Sequence, residues 1–155
     1  GPQHAQVAAL AGITEYFDVL HRHHFGHDQG NRHTRATAVF ELVARHESTL
    51  ANILLDYLRD APDIRLLGQN RAMPGQRAAT VAFHSHAIPS AVIAKKLAEH
   101  RIGVGAGDFY ARRCVEALDI DPDDGVVRVS MVHYNTANEV HRLIIALDDI
   151  LRGKD

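Results

Sequence analysis

The apolar residues of this chain follow one spacing in its first third and another in the remainder. In the first third they recur at helical spacing, which predicts a helix over about 3–25 and a longer one over about 35–59. The run Ala61-Pro62-Asp63 ends the second helix, because proline cannot continue it. The stretch HRHHFGHDQGNRH (21–33), in which the first helix ends, is rich in His, Gly, Asn and Asp and predicts a solvated loop. A pair of helices is therefore predicted at the front of the chain.

Short strands that alternate with helices are predicted after residue 60. The predicted strands cover about 63–68, 77–85 and 101–107, and a fourth begins the stretch GVVRVSMVHYNTANEVHRL (125–143). The predicted helices cover about 89–100, 110–118 and 136–152. Together these elements place the chain in the α/β class, with a helical segment over 1–60 and an α/β domain over 61–155.

The last predicted helix has a well-defined start. Thr136 stands at the N-cap position, and Glu139, three residues later, completes a capping box in which each side chain accepts a hydrogen bond from the other residue's backbone N–H. An apolar stripe follows along one face, formed by Val140, Leu143, Ile144, Leu147 and Leu151. This pattern is typical of a helix that packs one face on a core.

Arg128 is a cation within an otherwise core-forming strand. Because strand side chains alternate between faces, Val127, Val129 and Met131 are predicted on the core face. Arg128 then shares the opposite face with Ser130, so that face is predicted to border a cleft. An ionic group in such a place needs a partner. Two interpretations stay open: an ion pair with an acidic neighbour at a sheet edge, or a binding site for an anion.

The composition limits the classes of function. The chain has 155 residues, is 46% hydrophobic and carries a formal net charge of -2, which suits one compact domain or one domain with a helical extension. This near-neutral charge gives no electrostatic basis for binding nucleic acid or an anionic membrane. No apolar run approaches the roughly 20 residues that span a bilayer, and the N-terminus has no signal-peptide pattern. With a single cysteine, Cys114, no internal disulfide forms, and a cytoplasmic location is expected.

Five histidines around the end of the first helix raise the question of a metal site. Their spacing would let a helix end supply two ligands. No cysteine or carboxylate geometry accompanies them, so a solvated loop is the preferred interpretation and no metal site is predicted. The five are His21, His23, His24, His27 and His33.

Three stretches, in one order, give the chain a family resemblance. GVVRVSMVHYNTANEVHRLIIALDDIL (125–151) resembles the C-terminal signature of the class V aminotransferase family, which includes the cysteine desulfurases. A strand arginine, a Tyr-Asn-Thr cap and Glu-x-x-Arg-Leu on a helix occur there in sequence. ATVAFHSHAIPSAVIAKKLAEHRIGVGAGDFYA (79–111) is similar to the small domain of that family, and GPQHAQVAALAGITEYFDVL (1–20) to the segment that returns from its large domain. The resemblance therefore covers nearly the whole chain.

The resemblance implies the C-terminal part of a pyridoxal-phosphate enzyme with the aspartate aminotransferase fold, usually a homodimer. In that fold a short mixed or antiparallel sheet packs on helices and closes over an amino-acid substrate. The large domain, which carries the cofactor on a lysine Schiff base, would be a missing N-terminal partner. The lysines here are Lys95, Lys96 and Lys154, and none has the sequence context of that Schiff-base lysine. The chain alone is expected to be inactive and to bind no cofactor.

The resemblance also assigns substrate-binding residues. Arg128 matches the arginine that holds the substrate α-carboxylate, a role that suits a planar guanidinium able to donate two parallel hydrogen bonds. Asp108 and Tyr110, in the loop VGAGDFYA (104–111), are candidates for the mouth of the substrate site; ordinary loop packing is the alternative. Tyr110 stands where some desulfurases carry a nucleophilic cysteine, and a phenol cannot accept a persulfide sulfur, which puts cysteine desulfuration by that route in doubt.

Two nearby positions also depart from the family pattern. Cys114, four residues after Tyr110, is interpreted as a packed core thiol rather than a displaced nucleophile. Gly105 stands where the family often carries a second arginine, so one anion contact is missing.

The first residues raise two further expectations. Gly1, Pro2 and His4 fall near the phosphate loop that crosses the dimer in this family, and they are weak candidates for contact with the cofactor phosphate of a partner subunit. Pro2 replaces a hydroxyl residue there, which weakens that role. The start at Gly1-Pro2 is interpreted either as the remnant of a cleaved tag or as a native cut.

Two hypotheses of function follow. The first is the C-terminal domain of a class V aminotransferase-like enzyme, with lyase, aminotransferase and epimerase reactions all open. The second is a non-catalytic α/β domain that binds a partner or self-associates through the apolar stripes of its front helices.

Overall fold

The structure is a computed structural model, and it describes residues 1, 3–26 and 30–153. Within those residues it contains five helices and four strands. The helices are α1 (His4–Phe25), α2 (Arg32–Asp60), α3 (Ser90–Glu99), α4 (Arg112–Glu116) and α5 (Ala137–Leu151). The strands are β1 (Ile64–Leu67), β2 (Thr80–Ser85), β3 (Gly105–Gly107) and β4 (Val126–Ser130). The predicted α/β class, with two long helices before the sheet, is confirmed.

The chain divides into two compact units, Gly1–Arg45 and His46–Asp155. The division falls within α2, so the domain boundary that the sequence predicts at residue 60 stays a prediction. In the first unit, the guanidinium of Arg35 forms an ion pair of 3.0 Å with Asp18, and the rings of Phe17 and Phe40 lie 4.8 Å apart. Within the described part of the chain, no helix has both the length and the apolar character to cross a membrane.

The four strands of the second unit form one antiparallel sheet in the order β1-β2-β4-β3. One face carries the core, because Val127, Val129 and Met131 are buried there as the alternation predicts. The helices α2, α3 and α5 pack apolar side chains into this core, among them Leu54, Leu58, Ile93, Leu97, Leu143 and Leu147. The capping box of α5 is present, with the Thr136 hydroxyl accepting from the Glu139 N–H and the Glu139 carboxylate accepting from the Thr136 N–H.

A smaller apolar cluster lies on the opposite face of the sheet. It is formed by Val115 of α4, Ile120 and Val126. Leu67, Ala82 and Phe109 are partly buried against it. The segment between β3 and β4 therefore covers part of this face, and the rest of it, called here the open face, carries Arg128.

Several predicted boundaries differ from the observed ones. α1 ends at Phe25, as predicted, but the loop interpretation of the stretch that starts at residue 21 is wrong for His21, His23 and His24, which are helical; His21 is buried against the Phe25 ring. His27 lies outside the described residues. The strand predicted over 101–107 is β3 alone, because only Gly105–Gly107 pairs with β4.

Candidate functional site

Arg128 lies on an inner strand, between β2 and β3. In the register of the sheet it stands opposite Ala82 on one side and Gly105 on the other. Because both neighbours are small, neither fills the space above the Arg128 stem. The side chain is exposed, as its place on the face opposite the core requires. Of the two open interpretations, an ion pair at a sheet edge does not fit, because β4 is an inner strand and β3 forms that edge.

The guanidinium of Arg128 lies over an aromatic ring. Its Cζ lies 3.8 Å from the centroid of the Phe109 ring, within the range of a cation–π contact. No carboxylate oxygen among the described residues lies within 4.0 Å of its nitrogens. The described part of the chain therefore offers no acidic partner, and the N–H groups on the edge of the guanidinium are available to an anion.

The Phe109 ring is presented by a tight turn after β3. Both Phe109 and Tyr110 have left-handed backbone conformations, with φ of 51° and 61°. Each costs a residue with a Cβ roughly 1–2 kcal/mol. The Asp108 carboxylate accepts a hydrogen bond of 3.1 Å from the Tyr110 N–H, and the Asp108 carbonyl accepts one of 2.8 Å from the Ala111 N–H. These bonds stabilise the turn, and α4 begins only at Arg112, not at Tyr110 as predicted.

Gly105 makes room for the ring. A Cβ at this position would lie 2.8 Å from two carbons of Phe109, closer than side chains approach one another in proteins. The glycine that replaces the expected second arginine is therefore required by the place of the ring. From the sequence, Gly105 was interpreted only as the loss of a second arginine, and the role of Phe109 was not predicted.

A second polar group lies on the same face, further along β2. His84 Nδ1 lies 3.3 Å from the Gly125 carbonyl and 3.4 Å from the Asp124 carboxylate. Asp124 also accepts a hydrogen bond of 2.7 Å from the Ser90 N–H, at the start of α3. These contacts tie the end of the loop before β4 to β2 and α3. They position the strand that carries Arg128.

The predicted site residues are only partly brought together. Asp108 and Tyr110 are the sequence neighbours of Phe109 and share its turn, next to the ring that contacts Arg128. The Asp108 carboxylate bonds within that turn, and Tyr110 is fully exposed. The Arg112 hydrogen bond to Asp123, with the nearby charges of Glu116 and Asp108, holds the pKa of Arg112 above its usual value.

Other sequence-based expectations have different outcomes. Cys114 is exposed, so the prediction of a packed core thiol is wrong: α4 buries only Val115, and the preceding residue points about 100° away around the helix. Gly1 and His4 are exposed at the start of α1, and Pro2 lies outside the described residues. No group of three or more metal-binding side chains is present within the described ranges.

The fold and this face together define a small α/β layer with an arginine available to an anion. A family model described as "Aminotransferase class-V" matches residues 28–143. The chain belongs to the class-V aminotransferase family.

Named relatives agree with this assignment. The chain is 35% identical over 113 residues to the aminotransferase-like protein FGM3 of Gibberella zeae, covering 72% of this chain and 28% of that protein. It is 35% identical over 118 residues to the cysteine desulfurase-like protein ustD of Aspergillus flavus, covering 74% and 27%.

A solved structure agrees as well. The cysteine desulfurase CsdA of Escherichia coli superimposes with a TM-score of 0.60 at 27% identity, covering 70% of this chain and 25% of that one. The aspartate aminotransferase fold that the resemblance implied is confirmed. The matched part of this chain spans about a quarter of the length of each of these three proteins.

Pyridoxal phosphate is the cofactor of this family. Lys95 and Lys96 lie on α3, which packs on the core face through Ile93 and Leu97. Arg128 lies on the other face, so neither lysine shares its surroundings. The donors that Arg128 offers suit a carboxylate group.

Proposed function

We propose that this chain is the C-terminal domain of a pyridoxal-phosphate enzyme acting on an amino acid, and that Arg128 binds the substrate carboxylate. The carrying observation is the exposed Arg128 guanidinium, which lies over the Phe109 ring and has no carboxylate within 4.0 Å among the described residues. Membership of the class-V aminotransferase family supports this proposal.

The chemistry of the proposed role follows from the shape of the guanidinium. It is planar, stays charged at all physiological pH values and can donate two parallel hydrogen bonds to one carboxylate. Bound in this way, the α-carboxylate would have its position and its rotation restricted. The rest of the substrate would then be oriented towards groups that other parts of the protein supply.

The reaction itself stays open between lyase, aminotransferase and epimerase chemistry. Tyr110 occupies the position where some desulfurases carry a cysteine nucleophile, and its phenol cannot accept sulfur. Cys114 is exposed, four residues later, on a short helix. Cysteine desulfuration through position 110 is therefore not part of the proposal, and the chain alone is proposed to be inactive.

Substitution of Arg128 in the full-length, cofactor-loaded protein tests the proposal. Arg128→Ala should weaken binding of L-alanine by about 10- to 100-fold, as expected for the loss of charge-assisted hydrogen bonds. The L-alanine affinity of Arg128→Lys should fall between those of the parent protein and Arg128→Ala, because lysine keeps the charge and loses the bidentate geometry. Binding is measured by titrating L-alanine against the visible absorbance of the cofactor.

Two controls make this test specific. Arg71→Ala removes an exposed arginine from the connection between β1 and β2 and should leave the affinity unchanged. L-alaninol, which has an alcohol in place of the carboxylate, should bind the Arg128→Ala variant and the parent protein equally. An unchanged affinity for L-alanine in Arg128→Ala would remove Arg128 from the proposed role.

A second candidate is a non-catalytic domain that binds a partner. The observation in its favour is on α1, where Val7, Leu10 and Ile13 are each more than half exposed. Such a row favours burial against another surface. Light scattering on the chain alone tests for self-association, and a stable dimer that dissociates in Leu10→Glu would favour this candidate.

A further inference from the structure

We propose that Phe109 is a positioning residue that holds the Arg128 guanidinium in the orientation needed for carboxylate binding. This inference rests on the proposed function, because it assigns a role to Phe109 only through Arg128. Its basis is the contact of 3.8 Å between Arg128 Cζ and the centroid of the Phe109 ring.

The ring is well placed to restrict Arg128. An exposed arginine has four rotatable side-chain bonds, so ordering such a side chain costs conformational entropy. Ala82 and Gly105, the cross-strand neighbours of Arg128, are too small to restrict it. Phe109 is held from behind by the cluster of Val115, Ile120 and Val126. The ring therefore supplies the surface that these two neighbours lack.

Two structural features, a strained backbone and a glycine at position 105, keep the ring in this place. Phe109 and Tyr110 both adopt left-handed conformations that β-carbon-bearing residues avoid. With the ring in this position, a Cβ at 105 would lie 2.8 Å from two of its carbons, so glycine leaves the ring its place. Strain of this kind persists where the surrounding structure holds it, and it is concentrated at functional sites. Packing alone would not require a ring directly beneath a guanidinium.

The position of the ring also limits the kinds of ligand that Arg128 can bind. The ring lies on one side of the guanidinium carbon, which is 3.8 Å from the ring centroid, so a ligand reaches the N–H groups from the other directions. A planar carboxylate lying in the guanidinium plane matches the guanidinium edge with two parallel hydrogen bonds. Because Gly105 stands where the family often carries a second arginine, Arg128 can bind one carboxylate here, beside the aromatic surface of Phe109.

The test compares variants at 109 in the full-length, cofactor-loaded protein. Phe109→Leu keeps an apolar side chain for the cluster and removes the π face; it should weaken L-alanine binding about three- to tenfold. Phe109→Tyr keeps the face and should bind as the parent does. Affinity for L-alaninol should not change in either variant. A role in packing alone would move the thermal midpoint and leave the L-alanine affinity unchanged.

An isosteric variant keeps the test decisive if leucine at 109 prevents folding. Phe109→3,4,5-trifluorophenylalanine preserves the shape of the ring and weakens its negative face. It should lower L-alanine affinity in the same direction as leucine, with an unchanged thermal midpoint. Equal affinity for L-alanine in this variant and the parent would overturn the inference.

A double variant separates this inference from the proposed function. In an Arg128→Ala background, Phe109→Leu should have no further effect on L-alanine binding, because the ring acts through Arg128. If Arg128→Ala weakens binding and Phe109→Leu does not, the inference fails and the proposed function stands. If Arg128→Ala itself has no effect, the proposed function fails.

Discussion

At the scale of single residues, the strand that carries Arg128 depends on a close approach of two glycines. Gly125, which directly precedes β4, has a φ of 67°, and a Cβ there would lie 2.2–2.6 Å from backbone atoms of Gly107. Gly107 is the last residue of β3, so these two glycines bring the ends of β3 and β4 together. The backbone of Gly107 cannot give way as a flexible side chain could. The position of Arg128 between its neighbours therefore depends on a residue three places before it.

Gly125→Ala is expected to be strongly destabilising. The methyl group would collide with backbone, and the left-handed conformation would add its own cost, for a total of about 3 kcal/mol or more in free energy of unfolding. Gly75→Ala is the matched control, because Gly75 has a φ of 76° and no atom within 4 Å of its Cβ position. It should cost about 1 kcal/mol, the backbone part alone. Urea denaturation measures both, and equal losses would contradict the proposed collision.

Residues differ in how far the sequence predicts their place. Alternation along β4 predicts the core face of Val127 and Val129 and the opposite face for Arg128, because it depends only on strand geometry. The ring beneath Arg128 is not predictable in this way. Phe109 has a positive φ that no neighbouring residue type signals, and its contact with Arg128 joins positions 19 residues apart. The exposure of Cys114 was also missed, because α4 is too short to show a clear apolar period.

At the scale of elements, a polar contact joins α2 to α5 beside the core. The hydroxyl of Tyr57 donates a hydrogen bond of 3.3 Å to the Asp148 carboxylate. Burial, and then the charge of Asp148 and the hydrogen bond to it, raise the pKa of Tyr57 to about 12. The capping box that starts α5 was predictable from Thr136 and Glu139 because it is local. The Tyr57 contact joins residues 91 positions apart, so it could be identified only from the folded structure.

The raised pKa of Tyr57 predicts a loss of stability at high pH. The folded state holds the phenol proton more tightly than the unfolded state, whose pKa is about 10. The stabilisation is therefore complete below pH 10 and is lost as the pH rises from 10 through 12. Tyr57→Phe should be less stable by about 0.5–1 kcal/mol at pH 8, a deficit that shrinks above pH 10.

Urea denaturation at several pH values measures this effect. Tyr134→Phe is the control, because Tyr134 is exposed and its hydroxyl makes no hydrogen bond within the described part of the chain. A deficit for Tyr57→Phe that stays constant from pH 8 to 12 would contradict the assignment.

At the scale of the whole molecule, the matched part of the chain corresponds to about a quarter of the length of the named relatives, and two of its surfaces are candidate binding surfaces. The open face carries an arginine available to an anion, and α1 carries a row of exposed apolar side chains. The position of these surfaces follows from helical and strand spacing. Under the proposed function, segments outside these 155 residues cover both surfaces, so this sequence alone does not predict their neighbours.

The proposal that catalysis needs those other segments predicts the behaviour of this chain with the cofactor. Lys95 and Lys96 lie on α3, on the face of the sheet opposite Arg128. Neither lysine is expected to form a specific adduct when the chain is incubated with one equivalent of pyridoxal phosphate and then treated with borohydride. Intact mass should show the same low labelling in the native chain as in the urea-unfolded chain, since surface lysines react unselectively. The Lys95→Arg substitution should not change the extent of labelling. A single stoichiometric adduct in the native chain, absent after unfolding, would mean that this chain builds a cofactor site by itself.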